Sequence, residues 1–155
     1  MSAIQKYYRD KKDEGDRYLE FVRARLSPHG ITFWSYDSPL FQRHGESLQG
    51  VEVKLDNRCL ETQRLSIEVA EKTNPLLPHW TPSGIRKQDN SWAYIQGNYD
   101  LILVFSKAWL IRWQAAKCPE VRESLGTIRK FYLPLQMAKD LCVLGVDRDG
   151  KRVAP

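Results

Sequence analysis

Two short alternating segments constrain this chain more than any other feature. In Val51-Glu-Val-Lys-Leu55 the apolar residues stand at 51, 53 and 55, and in Leu65-Ser-Ile-Glu-Val-Ala70 at 65, 67 and 69. This is the two-residue period of a strand with one dry face, whereas a helix would scatter the same residues around its circumference. With the Asn57 to Gln63 connection between them, the segments predict an antiparallel hairpin. Glu52, Lys54 and Glu68 then stand on the face opposite the apolar one, and cross-strand neighbours come within about 5 Å. Two carboxylates and an ammonium sharing one patch is a side-chain set suited to metal-assisted phosphodiester cleavage.

The rest of the 155-residue chain supplies what such a hairpin needs around it, and a chain of this length buries about two thirds of its unfolded surface as a single domain. The domain is expected to span 1–155: an N-terminal helix within 1–30, core strands and site within 31–105, helices and an edge strand within 106–146, and a fraying tail over 147–155. Tyr18, Phe21, Val22 and Leu26 carry the 3.6-residue period of a helix that buries one face, and Ser27-Pro-His-Gly30 ends it. Ile31 to Tyr36 has strand composition. Three prolines between 75 and 82 exclude regular structure from most of 73–85. Trp92–Ile95 reads as a short strand, and Leu101–Phe105, apolar on both faces, as a central one. Ser106 is positioned to cap a helix over 107–117, Pro119 to start a helical turn, 126–133 to form an edge strand, and Pro134 to open a last helix over Leu135 to Leu144. The order predicts an α/β fold with a mixed sheet flanked by helices.

Charge is unevenly distributed. Residues 1–30 carry +2, 31–105 carry −2 and 106–155 carry +5, so an acidic middle lies between basic ends, as a cation-binding centre with phosphate-gripping margins would. Cys59, Cys118 and Cys142 are too scattered for a zinc ribbon or a disulfide framework and are read as reduced thiols. The longest apolar run, Leu101–Phe105, is far below the roughly 20 residues of a membrane span. No secretory segment is evident, and the expected location is cytoplasmic. His29, His44 and His79 lack ligand spacing. Trp80, Trp92, Tyr94 and Trp113 are read as core packing in preference to base stacking.

The run Leu48-Gln-Gly-Val-Glu-Val-Lys54, then Leu65-Ser-Ile-Glu-Val-Ala-Glu-Lys72, then Pro82-Ser-Gly-Ile85 with Trp92-Ala-Tyr94, resembles phage and bacterial members of the PD-(D/E)XK nuclease superfamily over roughly residues 48–135. The resemblance implies a restriction-endonuclease-like αβββαβ core, Mg²⁺ or Mn²⁺ as cofactor, and DNA as partner, with a homodimer left open. Carried onto this chain, Glu52 looks like the first acid and Glu68 like the second, both metal ligands. The pattern departs two residues after Glu68, where Ala70 stands in place of the lysine. Lys54 on the adjacent strand, or Lys72 reaching back, would then supply the charge. A second register takes Glu52-Val-Lys54 as the acid-x-lysine pair, Asp37 as the upstream acid and Glu68 as an additional ligand. Glu71 and Glu20 are further candidates for the site, and Arg86, Lys87, Arg129 and Lys130 for gripping phosphates.

Such residues answer what the chemistry demands. Mg²⁺ accepts carboxylate oxygens while keeping several waters, so two carboxylates suffice to hold it. A neighbouring lysine adds a compact positive charge for the developing negative charge. The competing expectations are a nucleic-acid-binding module of the same fold without catalysis, which the alanine at 70 suggests, and a glycosidase with two glutamates, which an adjacent lysine and a basic surface suit poorly.

Overall fold

Alternation places Glu52 and Lys54 on one face of their strand, and the partner of that strand decides what they meet. A computed structural model describes residues 3–34 and 49–155. Strand β1 (Val51–Leu55) does not pair with β2 (Arg64–Glu71). It runs parallel to β4 (Ala93–Gly97), with Glu52 opposite Tyr94 and Lys54 opposite Gln96. The expected hairpin is therefore replaced by a connection between two sheets, helped by the short helix α2 (Cys59–Thr62).

The first sheet has the order β1-β4-β5-β8-β9, with β5 at Leu101–Ser106, β8 at Leu144–Asp147 and β9 at Arg152–Ala154; the second has the order β3-β2-β7-β6, with β3 at Thr81–Pro82, β6 at Arg122–Ser124 and β7 at Ile128–Pro134. The β1–β4 pair is parallel and the other pairings are antiparallel. The molecule is thus a mixed α/β structure containing a mixed sheet with helices against it, as the coarse reading of the element order predicts.

Helix α1 (Ala3–Leu26) lays Tyr18, Val22 and Leu26 against one face of the first sheet, where Val51, Ala93, Ile95, Ile102 and Val104 meet them. Away from that face it carries the ion pair Lys12–Asp16, while Glu14, one turn before Tyr18, pairs with Lys11 and accepts from Asn57 Nδ2. The other face of the same sheet, through Leu103 and Phe105, packs on Leu65, Ile67, Phe131 and Leu133 of the second sheet, with Leu110 of α3 (Lys107–Lys117) and Ala138 of α4 (Leu135–Leu141) closing the layer. β5 contributes buried side chains to both clusters because its faces look in opposite directions, which is why its sequence is apolar throughout. The Ser106 hydroxyl accepts from the Trp109 amide and caps α3.

Several local expectations are corrected. Residues 31–34 form no strand, and 35–36 lie outside the described residues. The segment after Pro119 is strand β6, not a helical turn, and it takes the edge position that places β7 inside the second sheet. Helix α4 stops at Leu141, and Leu144 begins β8. The 147–155 segment is held in place: Asp147 Oδ1 accepts from the Asp149 and Lys151 amides, β9 joins the first sheet, and His29 Nε2 hydrogen-bonds the Gly150 carbonyl at 2.8 Å. Among the described residues no helix is long and apolar enough to cross a membrane.

Candidate active site

The paired strands β1 and β4 present Glu52, Lys54, Tyr94 and Gln96 on the face turned toward the second sheet, while their alternate residues Val51, Val53, Ala93 and Ile95 pack toward α1. Glu52 is 1% exposed. A carboxylate so deeply placed requires a partner to offset the loss of its water, and Lys54 Nζ lies 3.1 Å from Oε1. Among the described residues the other oxygen, Oε2, has no hydrogen-bond partner. Asp56, one residue past β1, clamps the sheets together: its Oδ2 accepts from the Ser66 amide at 2.9 Å and from Gln96 Nε2 at 3.2 Å. Gln96 Nε2 also donates to the Ser66 carbonyl.

Glu68 forms part of the facing wall. The ladder between β2 and β7 slips between Glu68 and Ala70, and a bulge at such a place re-aims the neighbouring side chain. The Pro82-Ser-Gly-Ile85 loop braces it. The Ser83 amide donates to the Val69 carbonyl at 3.1 Å, and the buried Ser83 hydroxyl donates to Glu68 Oε1 at 2.5 Å. Gly84 has φ +51°, and a Cβ there would come within 2.3 Å of the Glu68 carbonyl oxygen. Only glycine permits this loop to lie against the Glu68 backbone.

Between these walls is a cavity of about 340 Å³, lined among others by Lys54, Asp56, Ser66, Glu68, Tyr94 and Lys130. Lys130 stands opposite Glu68 in the ladder. At the rim the Arg64 guanidinium covers the Tyr132 ring at 3.8 Å, and Lys130 approaches the same ring at 5.6 Å. Tyr94 sits on the cavity floor. Burial, then the negative charges of Glu52, Glu68 and Asp56, push its phenol well above the usual tyrosine range, so it stays protonated at any working pH. Glu68 and Tyr94 line this cavity from different sheets, whereas Glu52, buried next to Tyr94 in the β1–β4 pair, does not line it.

The structure therefore sets Lys54, Glu68 and Lys130 on one cavity, pairs Glu52 with Lys54 outside its lining, and disperses the other candidates. Lys72 does not reach back: its ammonium is bonded to the carbonyls of Pro75 at 2.9 Å and Leu77 at 3.0 Å and lies over the Trp80 ring. Arg129 covers the same ring and pairs with Glu123. Arg86 bonds Gln114, and Lys87 pairs with Asp89, both away from the cavity lining. Glu71 is exposed and outside that lining, and Glu20 is engaged with Arg23 on α1. Asp37 and His44 lie outside the described residues. Trp113 packs on Phe131, whereas Trp92 is 60% exposed.

Sequence reasoning missed Asp56, Ser83 and Gln96. The Pro-Ser-Gly-Ile motif was a visible signal for Ser83, but no periodicity indicates that this loop folds back on Glu68. Among the described residues no group of three or more His, Cys, Asp or Glu is arranged to hold a metal. A pair of carboxylates is nonetheless the right donor class for a hard divalent ion; Glu68 lines the cavity, and Glu52 keeps a buried, unpartnered Oε2 behind Lys54, which lines it. No family model matches this sequence, and neither a curated protein nor a solved structure is similar to the chain.

Proposed function

We propose that this protein is a metal-dependent endonuclease hydrolysing DNA phosphodiester bonds on a restriction-endonuclease-like core. The observation that carries the reading is the buried Glu52, one oxygen 3.1 Å from Lys54 Nζ and the other unpartnered, with Lys54 and Glu68 both lining one open cavity. Glu52 and Glu68 would hold Mg²⁺ or Mn²⁺, which supplies Lewis acidity at phosphorus and a water of lowered pKa. Lys54, fixed beside Glu52, places a positive charge where negative charge develops on the phosphoryl oxygens. Ser83 restricts the rotamers of Glu68 and keeps the carboxylate oriented before substrate arrives. Arg58, Arg64 and Lys130 line the cavity and suit the backbone of a nucleic acid.

The test is cleavage of plasmid and of linear and branched duplexes in Mg²⁺ or Mn²⁺. Wild type should cut, a chelator should stop it, and Glu52→Gln and Glu68→Gln should each lower the rate by roughly 100-fold or more. Clean protein that cuts nothing, or cutting unchanged in both variants, overturns the proposal.

The Arg64–Tyr132–Lys130 arrangement at the rim favours one further reading, a module of this fold that binds nucleic acid without cutting it. Salt-dependent binding, indifferent to chelator and without turnover, would identify it.

A further inference from the structure

The charges in the cavity wall are spent unequally. Its two acids are bonded within the fold: Asp56 accepts through Oδ1 from the Arg58 amide at 3.3 Å and through Oδ2 from Ser66 and Gln96, and Glu68 accepts through Oε1 from the Ser83 hydroxyl. Four basic residues, Lys54, Arg58, Arg64 and Lys130, stand against them, so the lining carries 4 − 2 = +2. Lys54 pairs with Glu52 and Arg58 with Glu61. The other arginines of the second sheet, Arg122 and Arg129, are likewise paired, with Glu120 and Glu123. Arg64 and Lys130 differ. Among the described residues neither has a carboxylate within salt-bridge distance, although Glu68 is opposite Lys130 in the ladder, and both lie against the Tyr132 ring, at 3.8 and 5.6 Å. A guanidinium laid on an aromatic face keeps its edge N–H donors for a phosphate.

The inner end of the same cavity is of another kind. Tyr94 and Gln96 line it and are 0% and 2% exposed. The Gln96 amide nitrogen is committed to Asp56 and the Ser66 carbonyl, while its Oε1 has no partner among the described residues. Buried polar atoms are normally satisfied, and an amide oxygen can only accept. Two cations at the mouth and an acceptor beside an aromatic ring within suit a ligand that is anionic at one end and a flat, N–H-bearing ring at the other. A nucleotide has this form. The volume of about 340 Å³ is at the small end of ligand sites and holds one nucleotide, far less than a duplex. A base enters such a hollow only after leaving its stack, which a duplex resists and a single strand does not.

We propose that the cavity receives one unpaired nucleotide of a DNA strand, its phosphate on Arg64 and Lys130 and its base turned inward toward Gln96. The proposal rests on the nucleic-acid reading above and narrows the substrate of that site to DNA with an unpaired strand; it requires no metal.

Fluorescence anisotropy of the full chain in a chelator, with labelled oligo(dT) and a labelled blunt duplex of equal length, tests it without turnover. The strand should bind at least about tenfold tighter than the duplex. Arg64→Gln and Lys130→Gln should each weaken strand binding about tenfold and lower the salt slope by about one. Arg23→Gln, which removes the same charge from the exposed Glu20–Arg23 pair on α1, should change neither. A strand of abasic residues keeps the phosphates and loses the bases, and should bind about tenfold more weakly than oligo(dT). Thymidine monophosphate should displace the strand only at far higher concentration. Equal affinity for strand and duplex, equal affinity for the abasic strand, or unchanged binding in both cation variants overturns the proposal and leaves the nucleic-acid reading standing. Displacement by thymidine monophosphate at the strand's own concentration overturns it in favour of a free nucleotide. Absence of binding to either DNA overturns both.

Discussion

Two buried charged clusters in this protein contrast. At the start of α3, Lys107 is 4% exposed and its ammonium donates to the Lys87 carbonyl at 3.0 Å, to Asp89 Oδ1 at 2.8 Å and to Ser91 Oγ at 2.6 Å. All three ammonium donors are used. Ser91 donates to Asp89 Oδ1 in turn, and Asp89 Oδ2 has Lys87 Nζ at 3.7 Å. Next to the cavity, Glu52 is equally buried, pairs with Lys54 at 3.1 Å and also has one oxygen without a hydrogen-bond partner. The first cluster, in which Asp89 Oδ2 lacks a hydrogen bond but has an ammonium nearby, fastens the 87–92 loop to a helix; in the second, the carboxylate that lacks a bond pairs with a lysine that lines a cavity. A buried ion pair alone thus says little about function, whereas its neighbourhood to a cavity says more.

The largest effect that would break this contrast is catalytic. Lys54→Ala should reduce DNA cleavage roughly 100-fold, and Lys72→Ala should leave it unchanged, because the Lys72 ammonium is spent on loop carbonyls. The reverse result would return the charge-stabilising role to Lys72 and undo the distinction drawn from geometry.

In the Lys107 cluster the expected loss is of stability. Lys107→Met strands the Asp89 carboxylate, and breaking a buried pair from one side costs about 3–5 kcal/mol. For a chain of this size that lowers the melting temperature by roughly 10 °C. Calorimetry showing less than a quarter of this shift would mean that the cluster is more hydrated than its burial indicates.

Matched serine edits sharpen the comparison. Ser83→Ala frees the Glu68 rotamer and should lower kcat about tenfold, with Ser83→Thr restoring much of it. Ser91→Ala should lower the melting temperature and leave the kcat of folded protein alone. Parallel losses of kcat in both would make the two serines equivalent.

The smallest effect is in acid. Burial would raise the Asp89 carboxyl, but hydrogen bonds from Lys107 and Ser91 outweigh it and hold the group below its ordinary value. Stability from a lowered carboxyl is complete above the unfolded value of about 4 and disappears as pH falls through the folded one. Wild type and Asp89→Asn should therefore differ most near neutrality and converge in acid. A gap that widens on acidification would contradict the sign.

Much of the site was legible without coordinates. Alternation alone puts Glu52 and Lys54 together on one face of β1 and opposes Glu68 to Leu65, Ile67 and Val69, because successive strand residues point to opposite sides. The apolar run of β5 and the cap at Ser106 follow from equally local rules. Partner choice did not follow. The expected hairpin between β1 and β2 was a guess from proximity in sequence, and the parallel β1–β4 pairing spans about forty residues.

Local chemistry in the chain therefore determined which side chains are acidic, basic and strand-borne, and which face each of them takes. Only the tertiary structure decided that Lys54 and Glu68 line one cavity between two sheets, that Lys54 and not Lys72 pairs with Glu52, and that Ser83, Asp56 and Gln96 brace the same walls. The physical reason is that strand period fixes the direction of a side chain at the cost of one or two neighbouring residues. Which strand or loop arrives in front of it depends on how the apolar faces of α1, the two sheets, α3 and α4 are buried together.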